Sequence, residues 1–302
     1  MVLIRLKTFL VQRGVWGTLV KIFDSILGTR IIWRFNEYRR ARFLKSARHT
    51  ESLVTQLELE DFLTSIRPVN TEHELIRVGA DGDGGYLVPN LLMDIDFAFS
   101  PGVANTATFE EALIATDIAC FLADYSVNFS PISGSKVDFE KKFIGRFDNE
   151  IFMTMDTWIR MKKVDSNNLL LQMDIEGAEW DVFDSMSRET LLKFRILVVE
   201  FHSLHLLFFR LSFERIKRIF DLLLNDYYIV HYHPNNNDGL QEYLGIKVSP
   251  TAEITFLRKD SCNKISIRDK ITHLLDSHNS TWKPFVFAES TFDVALKNQG
   301  KP

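Results

Sequence analysis

The sequence has few cysteines, no long uninterrupted apolar run and no recognisable targeting pattern. Its two cysteines, Cys120 and Cys262, are far apart and form no CxxC motif, so neither a disulfide framework nor a zinc site is indicated. No stretch reaches the roughly 18 uncharged apolar residues of a membrane-spanning helix, and no signal peptide with a small-residue cleavage site is found. These absences predict a protein of the reducing cytoplasm.

The composition is that of an ordinary globular protein. Apolar residues make up 46% of the 302 residues and charged residues 25%, so the chain can bury a sizeable core. A chain of this length accommodates one large α/β domain with an extension, or two small domains.

Basic residues are concentrated at the N-terminal end. Residues 1–48 contain eleven Lys or Arg but only two acidic residues, whereas the rest of the chain is acidic overall. Trp16, Leu19, Phe23 and Ile26 recur at helical spacing, which is typical of a helix on an anionic membrane surface. The protein would then be cytoplasmic and peripheral at the inner face of the membrane. A helix packed on the following domain explains the same pattern, and nucleic acid is not expected because no binding motif accompanies the basic residues.

The hydrophobic periodicity and the positions of glycine and proline divide the chain into three segments. Residues 1–48 form a basic amphipathic segment, residues 49–75 a helical linker whose helix ends at Pro68, and residues 76–302 the main domain. The main domain opens with IRVGADGDGGYLVP, which predicts a hairpin turning at Asp81 to Gly85.

Beyond the hairpin, strand-like and helix-like stretches alternate. This alternation predicts an α/β fold with a mainly parallel sheet that is covered on both faces. The continuous apolar runs LLLQM and ILVVEF fit strands buried on both sides. The helix that should follow the stretch ADYS is short or absent.

Ligands of such sheets bind outside the carboxyl ends of the strands, so polar residues there are candidates for ligand binding. The strand IDFAFS ends in a turn at Gly102, with Ala104 where a second glycine would complete a GxG pattern. The next strand ends at Asp124, where an acidic residue can accept both ribose hydroxyls of a nucleoside cofactor. Together these features suggest an adenosine-containing ligand, although a tight turn and a helix cap explain them equally well.

Ionisable pairs end three strands that follow one another along the chain. The pairs are Asp174 with Glu176, Glu200 with His202, and His231 with His233. Carboxylates near a helix start can simply cap the helix, but three such pairs at one edge favour a functional role for at least one of them. A divalent ion held by these acids and histidines is an alternative.

Several motifs resemble one enzyme family. The stretch MDIEGAEWDVF is similar to the core signature of the FkbM-like methyltransferases, which are S-adenosylmethionine-dependent enzymes of the class I Rossmann-like fold. The stretches RVGADGDGGYLVP, SPGVANTATFEEAL, LVVEFHSL and HYHPNNND resemble other segments of the family, in the same order. The resemblance covers about Arg77 to Arg258, and it implies a doubly wound, mostly parallel Rossmann-like sheet.

The resemblance also implies residues that bind the cofactor S-adenosylmethionine. Ser100, Gly102 and Glu110 would approach it, and Asp124 would hold its ribose. Asp174 would lie near its methionine amino group or the reacting centre.

The implied reaction is O-methylation of a small-molecule or glycan acceptor, with a saccharide hydroxyl of the surface-polysaccharide or glycolipid type expected from the family. A hydroxyl must lose its proton, and His202, Glu176 and Glu200 are the candidates for the general base, in that order. Histidine comes first because its ordinary pKa of about 6.5 is nearest to neutral pH. No residue is assigned to a metal, and Glu176 serves either the acceptor or the start of the following helix.

Two other classes of function remain open at this stage. Asp81 with Asp83, and Asp94 with Asp96, have the DxD form that holds a metal and a nucleotide sugar in glycosyltransferases. The other alternative is a non-catalytic module that keeps a methyltransferase-like fold and is recruited to membranes by its basic segment.

Overall fold

The structure is a computed structural model that describes residues 52–298. The predicted basic segment, residues 1–48, lies outside the described residues, so its helical character and its contact with membranes stay predictions. The division of the chain at residues 49–75 and 76–302 stays a prediction as well.

The described residues form fifteen strands. In chain order they are β1 (Val69–Thr71), β2 (Leu75–Gly79), β3 (Gly85–Pro89), β4 (Phe97–Pro101), β5 (Ala119–Ala123), β6 (Val137–Glu140), β7 (Phe143–Ile144), β8 (Phe152–Met153), β9 (Leu169–Met173), β10 (Phe194–Phe201), β11 (Tyr227–Pro234), β12 (Gln241–Tyr243), β13 (Ile246–Val248), β14 (Ala252–Arg258) and β15 (Ile265–Ile267).

Seven α-helices accompany the strands in residues 52–298. They are α1 (Gln56–Ser65), α2 (Thr108–Ala115), α3 (Met155–Lys162), α4 (Glu179–Ser185), α5 (Arg188–Leu191), α6 (Arg210–Asp226) and α7 (Glu289–Asn298), and short 3-10 turns occur at Leu92–Asp94, Leu204–Phe208 and Lys259–Ser261. None of the helices in this part of the chain is long and apolar enough to cross a membrane.

Seven strands build the central sheet, in the order β11-β14-β10-β9-β4-β5-β6. The neighbours from β10 to β6 are parallel, and only β14 is antiparallel to its neighbours β10 and β11. The chain starts the sheet at β4, proceeds outward through β5 to β6, and then returns to β9 on the other side of β4. This reversal is the topological switch of a doubly wound sheet, and it confirms the predicted Rossmann-like fold.

The glycine-dense stretch before the sheet forms the predicted hairpin. Strands β2 and β3 pair from Leu75 with Pro89 to Gly79 with Gly85. The amide of Gly85 donates to the carbonyl of Gly82 at 3.2 Å, which closes the turn. The hairpin packs against the central sheet, and the Thr255 hydroxyl of β14 donates to the carbonyl of Leu87 at 2.6 Å.

The core lies on both faces of the central sheet. All five residues of β9 are buried, as the continuous apolar run predicts. On one face, α6 buries Phe213, Ile216 and Phe220, whose spacing places them on one side of the helix. The connection between β5 and β6 contains no helix, in agreement with the weak helical signal after ADYS.

Helix α1 is fixed at its start and along its apolar side. Thr55 and Glu58 form a capping box, in which each side chain binds the other residue's backbone amide. Phe62 packs edge-on against Phe213 and Phe220 of α6, with ring centroids 5.8 and 5.5 Å apart. The helix therefore belongs to the same core as the sheet.

Candidate active site

Strands β4 and β9 meet at their carboxyl ends, beside the switch in strand order. Gly102 follows β4 directly and has a φ of 93°, a conformation that favours glycine. A Cβ atom on Gly102 would lie 1.7 Å from the carbonyl oxygen of Asp174 and 3.1 Å from Cγ2 of Ile175. Only glycine fits here, so it allows the backbones at the ends of the two strands to lie in direct contact.

The second glycine position of the turn keeps a glycine-like backbone. Ala104 has a φ of 43°, in the left-handed region. Its amide donates to Oδ2 of Asp124 at 2.8 Å, and the amide of Ser126 donates to Oδ1 at 2.7 Å. Each carboxylate oxygen of Asp124 retains a second lone pair, so the buried group can still accept hydrogen bonds from a ligand.

Ser100 and Glu110 form a buried polar group beneath this turn. The Ser100 hydroxyl contacts the Glu110 carboxyl and donates to Oε1 of Gln172 at 2.7 Å. Gln172 in turn donates to the hydroxyl of Tyr86 at 3.2 Å. Burial raises the pKa of Glu110. Both predicted cofactor residues are therefore within the site region, but they are bonded to each other and almost fully buried.

His202 follows β10 and faces two of the predicted acids. Its Nε2 atom lies 3.9 Å from Oδ1 of Asp174 and 3.7 Å from Oε2 of Glu176, beyond hydrogen-bond distance. The ligand atoms of the three residues all lie within 4.8 Å of one another. The structure thus brings together Asp174, which was expected near the cofactor, and His202 and Glu176, the first two candidates for the general base.

Glu179 is a member of this cluster that the sequence analysis missed. It is fully buried at the start of α4, and its Oε1 atom accepts from the amides of Ile175 and Gly177 at 3.1 Å each. The same oxygen lies 3.0 Å from Nδ1 of His202, which fixes the imidazole orientation. Glu179, and not Glu176, therefore binds the backbone amides before α4. Its position in the stretch MDIEGAEWDVF was the available signal.

Trp180 connects the start of α4 to the end of β10. Its indole Nε1 donates to the carbonyl oxygen of His202 at 2.9 Å. The ring lies 4.7 Å from that of Phe201, measured between centroids. The signature stretch thus holds His202 by its imidazole through Glu179 and by its backbone through Trp180.

The clustered charges change the proton affinities of the site. Burial alone would lower the pKa of His202, but the hydrogen bond to Glu179 and the nearby charges of Asp174 and Glu176 raise it to about 9. Burial raises the pKa of Asp174 to about 6, although His202 opposes the shift. Burial and the neighbouring Asp174 charge raise the pKa of Glu200 well above its ordinary value.

Glu176 lies at the rim of the cluster in an unfavourable backbone conformation. Its φ is 57°, followed by 102° at Gly177, so the chain passes through two left-handed residues before α4. A left-handed conformation costs a non-glycine residue about 1–2 kcal/mol. The Glu176 side chain is 90% exposed. It therefore remains available to a ligand.

The two DxD stretches lie at different ends of the molecule. Asp83 lies in the hairpin turn. Burial raises its pKa, and the nearby charge of Glu176 raises it further. Asp94 precedes β4 and forms an ion pair of 3.2 Å with Arg195, at the opposite end of the sheet. Only the first stretch approaches the candidate site.

The third ionisable pair is bound by a loop near the C-terminal end of the described chain. Nε2 of His231 lies 2.8 Å from Oδ1 of Asp276, and Nε2 of His233 lies 3.0 Å from Oδ1 of Asn279. Asn279 also donates to Glu253 of β14. Since β14 separates β11 from β10, these histidines do not join the cluster around His202. Glu200 accepts from Asn235 at 2.7 Å and links the two regions.

Part of the chain matches a known protein family. Residues 153–230 match the family model described as Methyltransferase FkbM domain. The matched segment runs from the end of β8 into β11 and contains Asp174, Glu176, Glu179 and His202. The comparison with curated proteins gave no significant match. The match confirms the resemblance of the signature stretch to the methyltransferase FkbM domain and supports a methyltransferase.

Proposed function

We propose that the protein is an S-adenosylmethionine-dependent O-methyltransferase whose acceptor is a saccharide hydroxyl. The observation that carries the proposal is the contact of Gly102 with Asp174 at the switch between β4 and β9, with Asp124 one strand away. In doubly wound sheets this crevice is where nucleoside cofactors bind. The family match supports methyl transfer as the chemistry.

The residues at the crevice fit a cationic nucleoside cofactor. Asp124 can accept from the two ribose hydroxyls with its remaining lone pairs. Asp174 has a buried Oδ1 atom without a hydrogen-bond partner among the described residues, so a positively charged ligand group would satisfy it. S-adenosylmethionine supplies a sulfonium-bound methyl group, which passes to the acceptor oxygen as the sulfur becomes a neutral thioether.

The acceptor side is proposed to lie at the cluster of Asp174, Glu176 and His202. His202 carries a proton at neutral pH because its pKa is about 9. It is therefore suited to donate a hydrogen bond to the acceptor oxygen and not to act as a base. Glu176 is exposed at the rim and can receive the hydroxyl proton. Burial and the neighbouring Asp174 charge raise the pKa of Glu200. Its carboxyl group accepts from the side-chain amide of Asn235 at 2.7 Å.

A saccharide is proposed because the site presents more hydrogen-bond acceptors than donors. The carboxylates of Asp174 and Glu176 lie 3.9 and 3.7 Å from Nε2 of His202, and the Glu176 charge acts on nearby Asp83. A polyhydroxyl ligand supplies the donors that such groups need. The imidazole of His202 provides a complementary donor at the same edge.

The proposal is tested by incubating the full chain with methyl-labelled S-adenosylmethionine and separate oligosaccharide, peptide and nucleic-acid acceptors. The expected product is labelled oligosaccharide whose methyl group survives mild alkali, as an ether does and an ester does not. Label in the peptide or nucleic acid alone would contradict the acceptor class. Transfer of sugar from a nucleotide sugar with Mn²⁺, without methyl transfer, would instead support a glycosyltransferase.

A further inference from the structure

We propose that Asp174, Glu176 and His202 bind a divalent cation of the Mn²⁺ or Mg²⁺ type. The three side chains supply two carboxylate oxygens and one imidazole nitrogen, all within 4.8 Å of one another. Around an octahedral ion with bonds of about 2.1 Å, adjacent ligands are about 3.0 Å apart and opposite ligands about 4.2 Å. The distances of 3.7 and 3.9 Å from His202 Nε2 to the two carboxylates lie between these values. Small side-chain movements would therefore close the site around an ion.

The orientation of His202 is that of a metal ligand. Its Nδ1 atom is bound to Oε1 of Glu179 at 3.0 Å, and this leaves Nε2 directed at Asp174 and Glu176. Metal-binding histidines commonly bond a carboxylate through the nitrogen that does not touch the ion. Glu179 is itself fixed by the amides of Ile175 and Gly177. The imidazole is thus held in place before any ion arrives.

An unpaired atom in the cluster points independently to a ligand. His202 is nine-tenths buried, and its Nε2 atom lies 3.9 Å from Asp174 and 3.7 Å from Glu176, too far for a hydrogen bond to either carboxylate. Oδ1 of Asp174 is buried and has no hydrogen-bond partner in the described part of the chain. Buried polar atoms without partners are rare in folded proteins, because each costs about 1–3 kcal/mol. A cation bound between Asp174 and His202 would satisfy this oxygen.

The charge of the cluster also favours a cation. Three carboxylates, those of Asp174, Glu176 and Glu179, surround one imidazole. Even a protonated His202 leaves the group with a net negative charge. A divalent ion in place of the Nε2 proton would neutralise two of the acids and leave Glu179 paired with the imidazole N–H.

The ligand set indicates the kind of ion. Carboxylate oxygens suit Mg²⁺ and Mn²⁺, and an imidazole nitrogen adds preference for Mn²⁺ over Mg²⁺. The exposed side of the site, at Glu176, leaves coordination positions for water or for acceptor oxygens. An acceptor hydroxyl bound there would become more acidic, and its proton would pass to solvent or to a free carboxylate. This role, which rests on the proposed function, would replace the general base proposed at Glu176. The binding of the ion itself does not depend on it.

The test is a titration of the full chain, freed of metal by chelation, with Mn²⁺ alone. Calorimetry and the electron paramagnetic resonance signal of free Mn²⁺ should both report one bound ion per chain. Glu176→Gln should weaken the affinity by about tenfold or more, since even outer contacts of such sites contribute 10–100-fold. Glu189→Gln, an identical change at an exposed residue of α5, should leave the affinity unchanged within about twofold.

Glu176→Gln is the informative variant because its exposed side chain holds no part of the core, so folding should be preserved. Thermal unfolding in the presence of chelator checks this. Glu179→Gln provides a second measurement, with weaker Mn²⁺ binding expected although Glu179 does not touch the ion. Absence of saturable Mn²⁺ binding, or equal binding by wild type and Glu176→Gln, would overturn the proposal.

A parallel titration with S-adenosylhomocysteine separates this proposal from the function. Cofactor binding without Mn²⁺ binding would remove the ion site and leave the proposed function intact. Mn²⁺ binding that is lost in Glu176→Gln, together with no cofactor binding, would support the ion site and remove the function.

Discussion

Gly102 and Asp174 lie so close together that a methyl group on the glycine would overlap the Asp174 carbonyl oxygen. The overlap involves backbone atoms directly after two central strands, so a movement of neighbouring side chains cannot relieve it. We expect Gly102→Ala to lower the free energy of unfolding by about 2 kcal/mol or more, through overpacking and its φ of 93°. It should also abolish binding of S-adenosylhomocysteine. Urea unfolding and calorimetry measure the two effects.

Gly245→Ala is the matched control for this substitution. Gly245 has a φ of 80°, but a Cβ atom there would meet nothing within 4 Å. Its substitution should cost only the left-handed backbone conformation, about 1 kcal/mol, and leave ligand binding unchanged. Equal losses for the two variants would show that the contact with Asp174 has no special importance.

Glu253 should make stability depend on pH. Burial raises its pKa from 4.5 to about 7, and the nearby His233 charge only partly opposes this. Between these values the folded protein binds a proton that the unfolded chain releases. The contribution to stability is therefore complete below about pH 4.5 and is lost as the pH rises through 7, by up to about 3 kcal/mol.

Glu253→Gln removes this titration while keeping an oxygen for Asn279. The variant should resemble wild type at pH 5 and be more stable than wild type at pH 8.5, as judged by urea unfolding at both values. Glu189→Gln, which changes an exposed glutamate, should show the wild-type dependence. A variant that is less stable than wild type at both pH values would contradict the assignment.

The left-handed backbone conformation of Glu176 is predicted to lower the stability of the protein. Replacing it with glycine relieves the left-handed strain at φ 57°, while the greater freedom of the unfolded glycine chain offsets part of the gain. We expect Glu176→Gly to raise the free energy of unfolding by about 0.5–1 kcal/mol in the presence of chelator. It should at the same time lose methyl transfer. Destabilisation by this change would mean that the Glu176 side chain stabilises the fold.

The basic segment, residues 1–48, is predicted to bind anionic membranes. The full chain should sediment with vesicles containing phosphatidylserine and not with vesicles of phosphatidylcholine alone, because each basic residue near an anionic surface contributes about 1 kcal/mol. Raising the salt to about 1 M should release it, since the screening length then falls to about 3 Å. Binding that is equal for both vesicle types would favour a segment packed on the protein.

The sequence predicted those parts of the fold that have local signals. The run LLLQM of β9 is apolar throughout because both faces are covered, and the hairpin turn at Asp81 to Gly85 is rich in glycine. The edge of the sheet that carries Asp124, Asp174 and His202 was predicted because strand ends can be read from where apolar runs stop. The antiparallel insertion of β14 was not predicted, since the direction of a strand leaves no trace in its composition.

The hydrogen-bond partners of the site residues could not be predicted from the sequence in the same way. Glu179 was missed because only the turn of the backbone after β9 brings it to His202 and to the amides of Ile175 and Gly177. Asp276 and Asn279 belong to a distant loop, and nothing local marks them as the partners of His231 and His233. Tertiary contacts such as these decide which ionisable residues are structural and which remain available to a ligand.

Calorimetric titration with S-adenosylhomocysteine tests the central claim most directly. Wild type should bind one equivalent, and Asp124→Asn should bind about tenfold or more weakly, because a hydrogen bond to a charged group contributes about 1.5–3 kcal/mol. Asp61→Asn, the same change at an exposed position of α1, should bind like wild type. Absence of binding by folded wild-type protein would contradict the assignment of the crevice between β4 and β9 as the cofactor site.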